Sequence, residues 1–115
     1  MDVSPPSHDS QLLRGVLPLL ILNLVDQRES YGYELVERLR ELGLTELATG
    51  VVYPVLGRFE RDGLLDSHLV PSTQGPARKY YAITASGRQA RREAAAQWRA
   101  IVAVTERGLI REGTD

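Results

Sequence analysis

The most constraining feature of this sequence is the segment Gln11–Gln27, which is apolar on nearly every side of a helix. A helix that is apolar all round must be covered on all sides, and the segment is too long and too rich in leucine for a buried strand. Pro18 is expected to kink this helix or to fall within its first turns. A chain of 115 residues has little room to provide full cover within one protomer. A partner subunit is therefore the natural cover.

Composition excludes several kinds of site. The chain has no cysteine, so it has no disulfide framework, thiolate zinc site or thiol nucleophile. Its two histidines, His8 and His68, stand without a carboxylate pair, an activated serine or metal-ligand spacing, and we therefore expect no enzyme, metal site or cofactor. The interrupted apolar run 12–25 is shorter than the roughly 18 residues that span a bilayer. With no secretory signal visible near Met1, we expect a cytoplasmic protein without membrane contact.

Two amphipathic helices are predicted after the first. One covers residues 31–42, with Ser30 as its candidate N-cap and Gly43 as its end. The third helix follows a short connection, has Thr49 as its candidate N-cap, and ends at Gly63. Two such helices around a short turn, the second with a polar outer face, are typical of a helix-turn-helix.

A β-hairpin and a long helix complete the predicted elements. Strands at 64–70 and 77–83 flank the turn-rich segment 71–76, which predicts a connection longer than two residues. Thr84 caps a final helix over residues 85–108, whose apolar positions are spaced by three and four as in a coiled coil. A hairpin directly after a helix-turn-helix is the wing of a winged helix.

The predicted fold class is therefore mainly α with a small β-hairpin. Residues 1–10 form a disordered tail, residues 11–83 a winged helix-turn-helix domain that binds DNA, and residues 84–110 a dimerisation helix. At 1.5 Å per residue the last helix is about 37 Å long, whereas a compact domain of this size has a radius of gyration of roughly 13 Å. Its apolar stripe and the first helix together predict a two-fold homodimer. The expected interface residues are Leu12, Val16, Leu20, Ala94, Trp98, Ile101, Val102, Thr105 and Leu109.

Charge is distributed unevenly along the chain. The stretch 57–92 carries seven cations and three anions, a net +4, while the rest carries −5. A basic face on an acidic body and a solvated surface with chance clustering both remain open at this point. The helix-turn-helix pattern favours the basic face, because DNA binding depends on cations that meet phosphates.

The third helix and the hairpin hold most of the candidate DNA contacts, and Tyr33 in the second helix is a further one. One helix fits the major groove, where its first residues reach base edges, and the wing reaches the adjacent backbone or minor groove. The predicted contacts are Tyr33, Thr49, Gly50, Val51, Tyr53, Pro54, Arg58, Arg61, Arg78 and Lys79. Each has a plainer alternative, since Tyr53 could edge the core, Arg58 and Arg61 could pair with nearby carboxylates, and the hairpin cations could keep a strand edge soluble.

Four motifs follow the leucine-rich opening helix: YGYEL at 31–35, TGVVYPVL at 49–56, FERDGL at 59–64 and RKYYAIT at 78–84. With these motifs the chain resembles the PadR family of bacterial transcriptional regulators, in its shorter subfamily with one C-terminal helix. Phe59 stands where many relatives have leucine. The resemblance implies a homodimeric winged-helix repressor, with residues 50–58 as the recognition helix and Arg78 and Lys79 on the wing. A two-fold dimer would place its two recognition helices about one duplex turn apart, roughly 34 Å, and therefore predicts a palindromic operator.

The resemblance also bears on ligand sensing. Some family members bind flat aromatic compounds at the dimer interface beside a tryptophan, which implies a small aromatic effector site at Trp98, Leu12, Val16 and Ile101. The alternative is that Trp98 is an ordinary residue of the dimer core. For the whole chain, the alternative to a DNA-binding repressor is a winged-helix module that contacts proteins and no DNA.

Overall fold

The computed structural model describes residues 11–110, so the predicted tail at 1–10 and the last five residues lie outside the described part. Four helices and one small antiparallel sheet make a winged helix followed by a long helix, which confirms the predicted fold class. The helices are α1 (Gln11–Gln27), α2 (Gly32–Leu42), α3 (Val52–Arg61) and α4 (Ala85–Gly108). The strands are β1 (Ser30–Tyr31), β2 (Leu65–Ser72) and β3 (Gly75–Ile83). None of the described helices has the length and apolarity needed to cross a membrane.

The core lies between α1, α2, α3 and the inner face of the sheet. Helix α1 has its predicted bounds and continues through Pro18, its eighth residue. Six of its apolar side chains are buried, and Ile21 is inaccessible to solvent. The opposite side of its first turns is less covered, since Leu12 is 72% exposed and Val16 is only half-buried. One protomer therefore covers only part of the apolar surface of α1.

The predicted N-cap role of Ser30 is wrong. Ser30 belongs to the two-residue strand β1, pairs with Tyr81 of β3, and is fully buried. Its hydroxyl accepts a hydrogen bond from Arg38 Nη1 at 2.7 Å. Helix α2 begins at Gly32 with no side-chain cap. The sheet therefore has three strands in the order β1-β3-β2, because a pairing 51 residues away along the chain outweighs the local capping preference of serine.

Glycines end α2 and α3 as predicted. Gly43 and Gly63 have φ values of 133° and 76°, a region that side chains disfavour. After α3, the Gly63 and Leu64 N–H groups bond to the carbonyls of the last helical turn, which is a Schellman arrangement. The cap predicted at Thr49 is wrong, since Thr49 begins a short 3₁₀ turn, Thr49–Val51, that leads into α3 without a side-chain cap.

The hairpin is longer and its turn tighter than predicted. Ser72 pairs with Gly75, so two residues make the turn, and the expected longer connection is wrong. Pro71 and Pro76 lie inside the strands, at an irregularity in the register next to the turn. Prolines lack an N–H to donate and are tolerated at such bulges, which is why they mislead a sequence-based loop assignment.

Thr84 joins the end of the sheet to α4, as predicted for its cap. Its Oγ1 accepts a hydrogen bond from the Gly87 N–H at 3.0 Å and donates one to the Gly63 carbonyl at 2.7 Å. Asp26 of α1 holds the start of α4 through two arginines. Its Oδ2 lies 2.7 Å from Arg91 Nε, and its Oδ1 accepts a hydrogen bond from Arg88 Nε at 3.3 Å. Helix α4 thus runs back along α1 from a fixed first two turns.

Gly87→Ala should destabilise the protein. A Cβ at Gly87 would collide with the Leu64 carbonyl oxygen and stand 2.7 Å from Ile83 Cγ1, and the backbone contact cannot yield easily. We expect a loss of about 1–3 kcal/mol or more in the free energy of unfolding, measured by urea denaturation. Gly57→Ala is the matched control. Nothing lies within 4 Å of that position on α3, and alanine there should be neutral or stabilising by up to about 1 kcal/mol. Equal effects would contradict the close contact.

Candidate nucleic-acid interface

Helix α3 has one buried and one exposed face. Val52, Val55, Leu56 and Phe59 enter the core, as an apolar stripe with helical spacing does. The candidate DNA contacts on this helix lie on its exposed side: Tyr53, Pro54, Arg58 and Arg61. Pro54 falls in the first turn, where its missing N–H costs no helical hydrogen bond. The helix thus presents a face about three turns long with small, aromatic and cationic side chains.

Tyr53 packs against the start of α2. A Cβ on Gly32 would lie 2.5–2.8 Å from two ring carbons and the hydroxyl oxygen of Tyr53, so glycine allows this close approach. The ring is still 45% exposed, as is much of Tyr33 nearby in sequence on α2. Tyr53 therefore both edges the core and presents an open side. The predicted alternatives for this residue are not exclusive.

A cleft of about 360 Å³ opens beside Tyr53 between α2, α3 and the sheet. Arg78 lines it with its guanidinium carbon 4.6 Å from the centre of the Tyr31 ring, a cation–π distance. Tyr31 in turn meets the edge of Tyr80 at 5.3 Å, and Tyr80 stacks on His68 at 6.3 Å. Within residues 11–110 no carboxylate pairs with Arg78, so its charge is held in place and remains unneutralised. The sequence analysis did not predict this row of Tyr31, Tyr80 and His68, because it did not predict strand β1.

Lys79 lines the same cleft as Arg78, but its charge is paired. Adjacent residues of a strand point to opposite faces, and Lys79 Nζ lies 2.9 Å from Glu60 Oε1 on the last turn of α3. The Ser67 hydroxyl of β2 donates to the other oxygen of the same carboxylate. The hydrogen bond from Ser67, followed by the contact with Lys79, holds the pKa of Glu60 below its usual value. The bond to Glu60 raises the pKa of Lys79. Glu60 therefore ties α3 to both strands of the hairpin and offsets the charge of Lys79.

The two arginines of α3 do not pair with nearby carboxylates of the described chain, which was the alternative to a role in DNA binding. Among the described residues neither Arg58 nor Arg61 forms an ion pair, since Glu60 is engaged by Lys79 and Ser67. Arg58 lies over the ring of Phe59, with 5.8 Å from its guanidinium carbon to the ring centre. The exposed side of α3 thus keeps two free positive charges.

A second exposed surface runs along α4. Trp98 is 41% and Ile101 56% exposed, and Leu109 beyond the helix end is also exposed. Ala94 and Val102 are half-buried, as is Leu20 on α1, while Thr105 is exposed and donates a hydrogen bond to the Ile101 carbonyl. Val104, three residues after Ile101, is also exposed, and the sequence analysis did not single it out.

Two clefts lie on either side of Trp98. One of about 360 Å³ is lined by Leu12, Trp98, Ile101 and Val102, and the other, of about 310 Å³, by Val16, Trp98 and Ile101. The four residues predicted for effector binding therefore fall into two adjacent clefts that share the tryptophan and the isoleucine, with Leu12 in one and Val16 in the other.

Three helices, a hairpin packed on the last of them, and an exposed cationic third helix define a winged-helix regulator. The sequence profile of the family described as "Transcriptional regulator PadR-like family" matches residues 21–93. The chain belongs to this family, which confirms the resemblance found in its motifs. Its members regulate transcription and are not enzymes.

Solved structures of family members are similar over most of the chain. A PadR-like transcriptional regulator from Bacillus cereus is 38% identical, covers 90% of this chain and 100% of its own, and superposes with a TM-score of 0.79. A PadR family regulator from Eggerthella lenta is 32% identical over 91% of this chain and 88% of its own, with a TM-score of 0.78. Bacillus subtilis PadR, solved in complex with operator DNA, is 28% identical over 68% of this chain and 45% of its own, with a TM-score of 0.62.

Glu60→Gln should lower stability at neutral pH and have less effect in acid. Because the folded pKa of Glu60 lies below its ordinary value of 4.5, the stabilisation is complete above that value and is lost as the pH falls through the folded pKa. The loss at pH 7 should be under about 1 kcal/mol, since both partners are partly exposed. Urea unfolding at a series of pH values from 7 to 3 measures it. Glu37→Gln, exposed on α2, is the control, and a pH-independent difference would contradict the tie.

Proposed function

We propose that this protein is a homodimeric repressor that binds a palindromic operator, with α3 in the major groove and the hairpin on the adjacent backbone or minor groove. The observation that carries the proposal is the unneutralised cationic surface of Arg58, Arg61 and Arg78 around an exposed helix. Such a surface is the electrostatic requirement for binding phosphates. The complex of Bacillus subtilis PadR with operator DNA supports the same reading.

The proposed contacts divide by type. The N–H groups of Thr49 and Gly50 in the 3₁₀ turn Thr49–Val51 precede α3 and suit phosphate oxygens, as do the hydroxyls of Tyr33 and Tyr53. The first residues of α3 are the candidates for base edges, and Arg61, opposite the buried stripe on the last turn, adds charge along the outer face. Pro54 and Gly57 keep this face low enough for close approach. Arg78 and Lys79 serve the adjacent backbone, with the charge of Lys79 already offset by Glu60.

The proposed dimer pairs α1 and α4 of two subunits. Residues 11–83 are the DNA-binding unit and residues 84–110 the dimerisation helix in this proposal. Support comes from the exposed apolar stripe around Trp98 and Ile101 and from the open side of α1 at Leu12, since apolar area of this kind is stabilised by burial. A two-fold pair presents two α3 helices to successive turns of one duplex. A repressor of this type works in the cytoplasm, where its operator lies.

The proposed effector is a small aromatic compound that lies on Trp98 and releases the operator. Its support is the pair of clefts on either side of that ring, each at the small end of the ligand-pocket range. Coupling requires that the compound bind the DNA-free arrangement more tightly than the DNA-bound one. Titration with aromatic compounds should quench Trp98 emission and release labelled DNA at the same concentrations. Release without quenching would exclude this site.

Arg78→Met should reduce the salt dependence of DNA binding, whereas the paired change Glu60→Gln with Lys79→Met should leave it unaltered. Arg78→Met removes one unpaired positive charge. The double change removes the positive charge of Lys79 together with the negative charge of Glu60 that offsets it. The slope of log affinity against log salt should fall by about 0.9 per bound subunit for Arg78→Met only. The measurement is fluorescence anisotropy with an operator found by sequencing the DNA that the purified protein retains. The same slope in all three proteins would contradict the assignment of Arg78.

Ile101→Glu should dissociate the dimer. A charge buried without a partner costs about 3 kcal/mol or more, which corresponds to more than a hundredfold in the dimer dissociation constant. Sedimentation velocity measures the change, and Trp98 emission should shift to the red as the ring meets water. The control is Ala96→Glu, exposed on another side of the same helix. If the Ile101→Glu variant remains a dimer, the proposed interface is wrong.

A further inference from the structure

A groove of about 330 Å³ lies on the flank of α3 that faces α1. Leu17 and Val55 are apolar parts of its lining, and Arg14 and Arg58 are its charged parts. Arg14 belongs to α1 and was not a candidate in the sequence analysis, because that helix was interpreted as core and dimer contact. The structure brings it to the same groove as Arg58, 44 residues away along the chain.

Both arginines are exposed, and within residues 11–110 neither has a carboxylate partner. Other arginines close to α1 are engaged differently: Arg88 and Arg91 lie on Asp26, and Arg28 lies 3.3 Å from Glu34. Two like charges on one groove repel each other unless an anion lies between them. The groove therefore has the charge pattern of a site for an anion.

The geometry of the major groove says which anion fits. A helix with its side chains is about 10–12 Å across and the groove about 12 Å wide, so both flanks of an inserted helix face a phosphate strand. Tyr53 lies on one flank, in the cleft with Arg78, and Arg58 lies about 140° around the helix from it at 100° per residue. One strand would thus meet the hairpin side, and the other would meet the side of α1.

We propose that Arg14 is a DNA-backbone contact that, with Arg58, holds the phosphate strand on the flank of α3 away from the cleft of Tyr53 and Arg78. The inference rests on the proposed function and extends its interface to α1. Deoxyribose, which is largely apolar, would lie on the apolar lining between the two guanidinium groups. The first helix would then serve the core, the subunit contact and the DNA contact at once.

The test compares Arg14→Gln and Arg14→Lys with the wild-type dimer on the operator, by anisotropy at 50–200 mM salt. Arg14→Gln should bind more weakly, with a slope of log affinity against log salt that is smaller by about 0.9 per subunit. Its disadvantage relative to wild type should therefore shrink about 3.5-fold per subunit across this range. Arg14→Lys should keep the wild-type slope. The control Arg99→Gln, exposed on α4, removes the same charge elsewhere and should change the slope little.

Thermal unfolding and sedimentation velocity of the same variants keep the result interpretable. We expect Arg14→Gln to retain the melting temperature and the dimer. If wild type binds the operator and Arg14→Gln binds with the same affinity and slope, the assignment of Arg14 is overturned and the proposed function stands. If Arg14→Gln instead dissociates the dimer, the groove is a subunit contact and the assignment is equally overturned. If wild type binds no DNA, the proposed function fails together with it.

Discussion

The junction around Leu64 and Thr84 is the constraint on which the rest of the structure depends. The Thr84 hydroxyl and N–H bond to the carbonyls that follow α3, and the same hydroxyl caps the first turn of α4. Gly87 lets that turn approach the Leu64 carbonyl. Four elements therefore start or end at one point: α3, the two hairpin strands and α4. The direction of α3 and the direction of α4 are set by the same few atoms.

Glu60 adds a second constraint one turn earlier. A carboxylate that accepts from both strands of the hairpin fixes the wing relative to α3 without engaging the arginines on the exposed face of the helix. The free cations Arg58, Arg61 and Arg78 surround that face, and none of them is needed to hold the hairpin. The charges that position the hairpin are thus different from the charges proposed to bind DNA.

Local signals in the sequence predicted most of the fold. The bounds of α1, the glycine ends of α2 and α3 and the cap at Thr84 depend on residues within one or two turns, and all were predicted. The errors involve partners far apart in sequence. Ser30 resembles a cap until β3 pairs with it, and the prolines at 71 and 76 resemble loop residues until the register irregularity accommodates them. The candidate site follows the same rule, since periodicity identified Arg58 and Arg61, whereas the neutralisation of Lys79 by Glu60 and the approach of Arg14 to Arg58 require the tertiary fold.

The ion pairs of Asp26 with Arg88 and Arg91 have a consequence for the position of α4. Both ion pairs lie in the first two turns of α4. Gly87, in the same turns, is the one α4 residue that is buried in the described chain. Farther along, clefts rather than close packing separate α4 from α1 near Trp98. The contacts that fix α4 on the protomer are therefore concentrated in its first two turns. In the proposed two-fold dimer, a tilt of α4 about these first turns would change the distance between the two α3 helices.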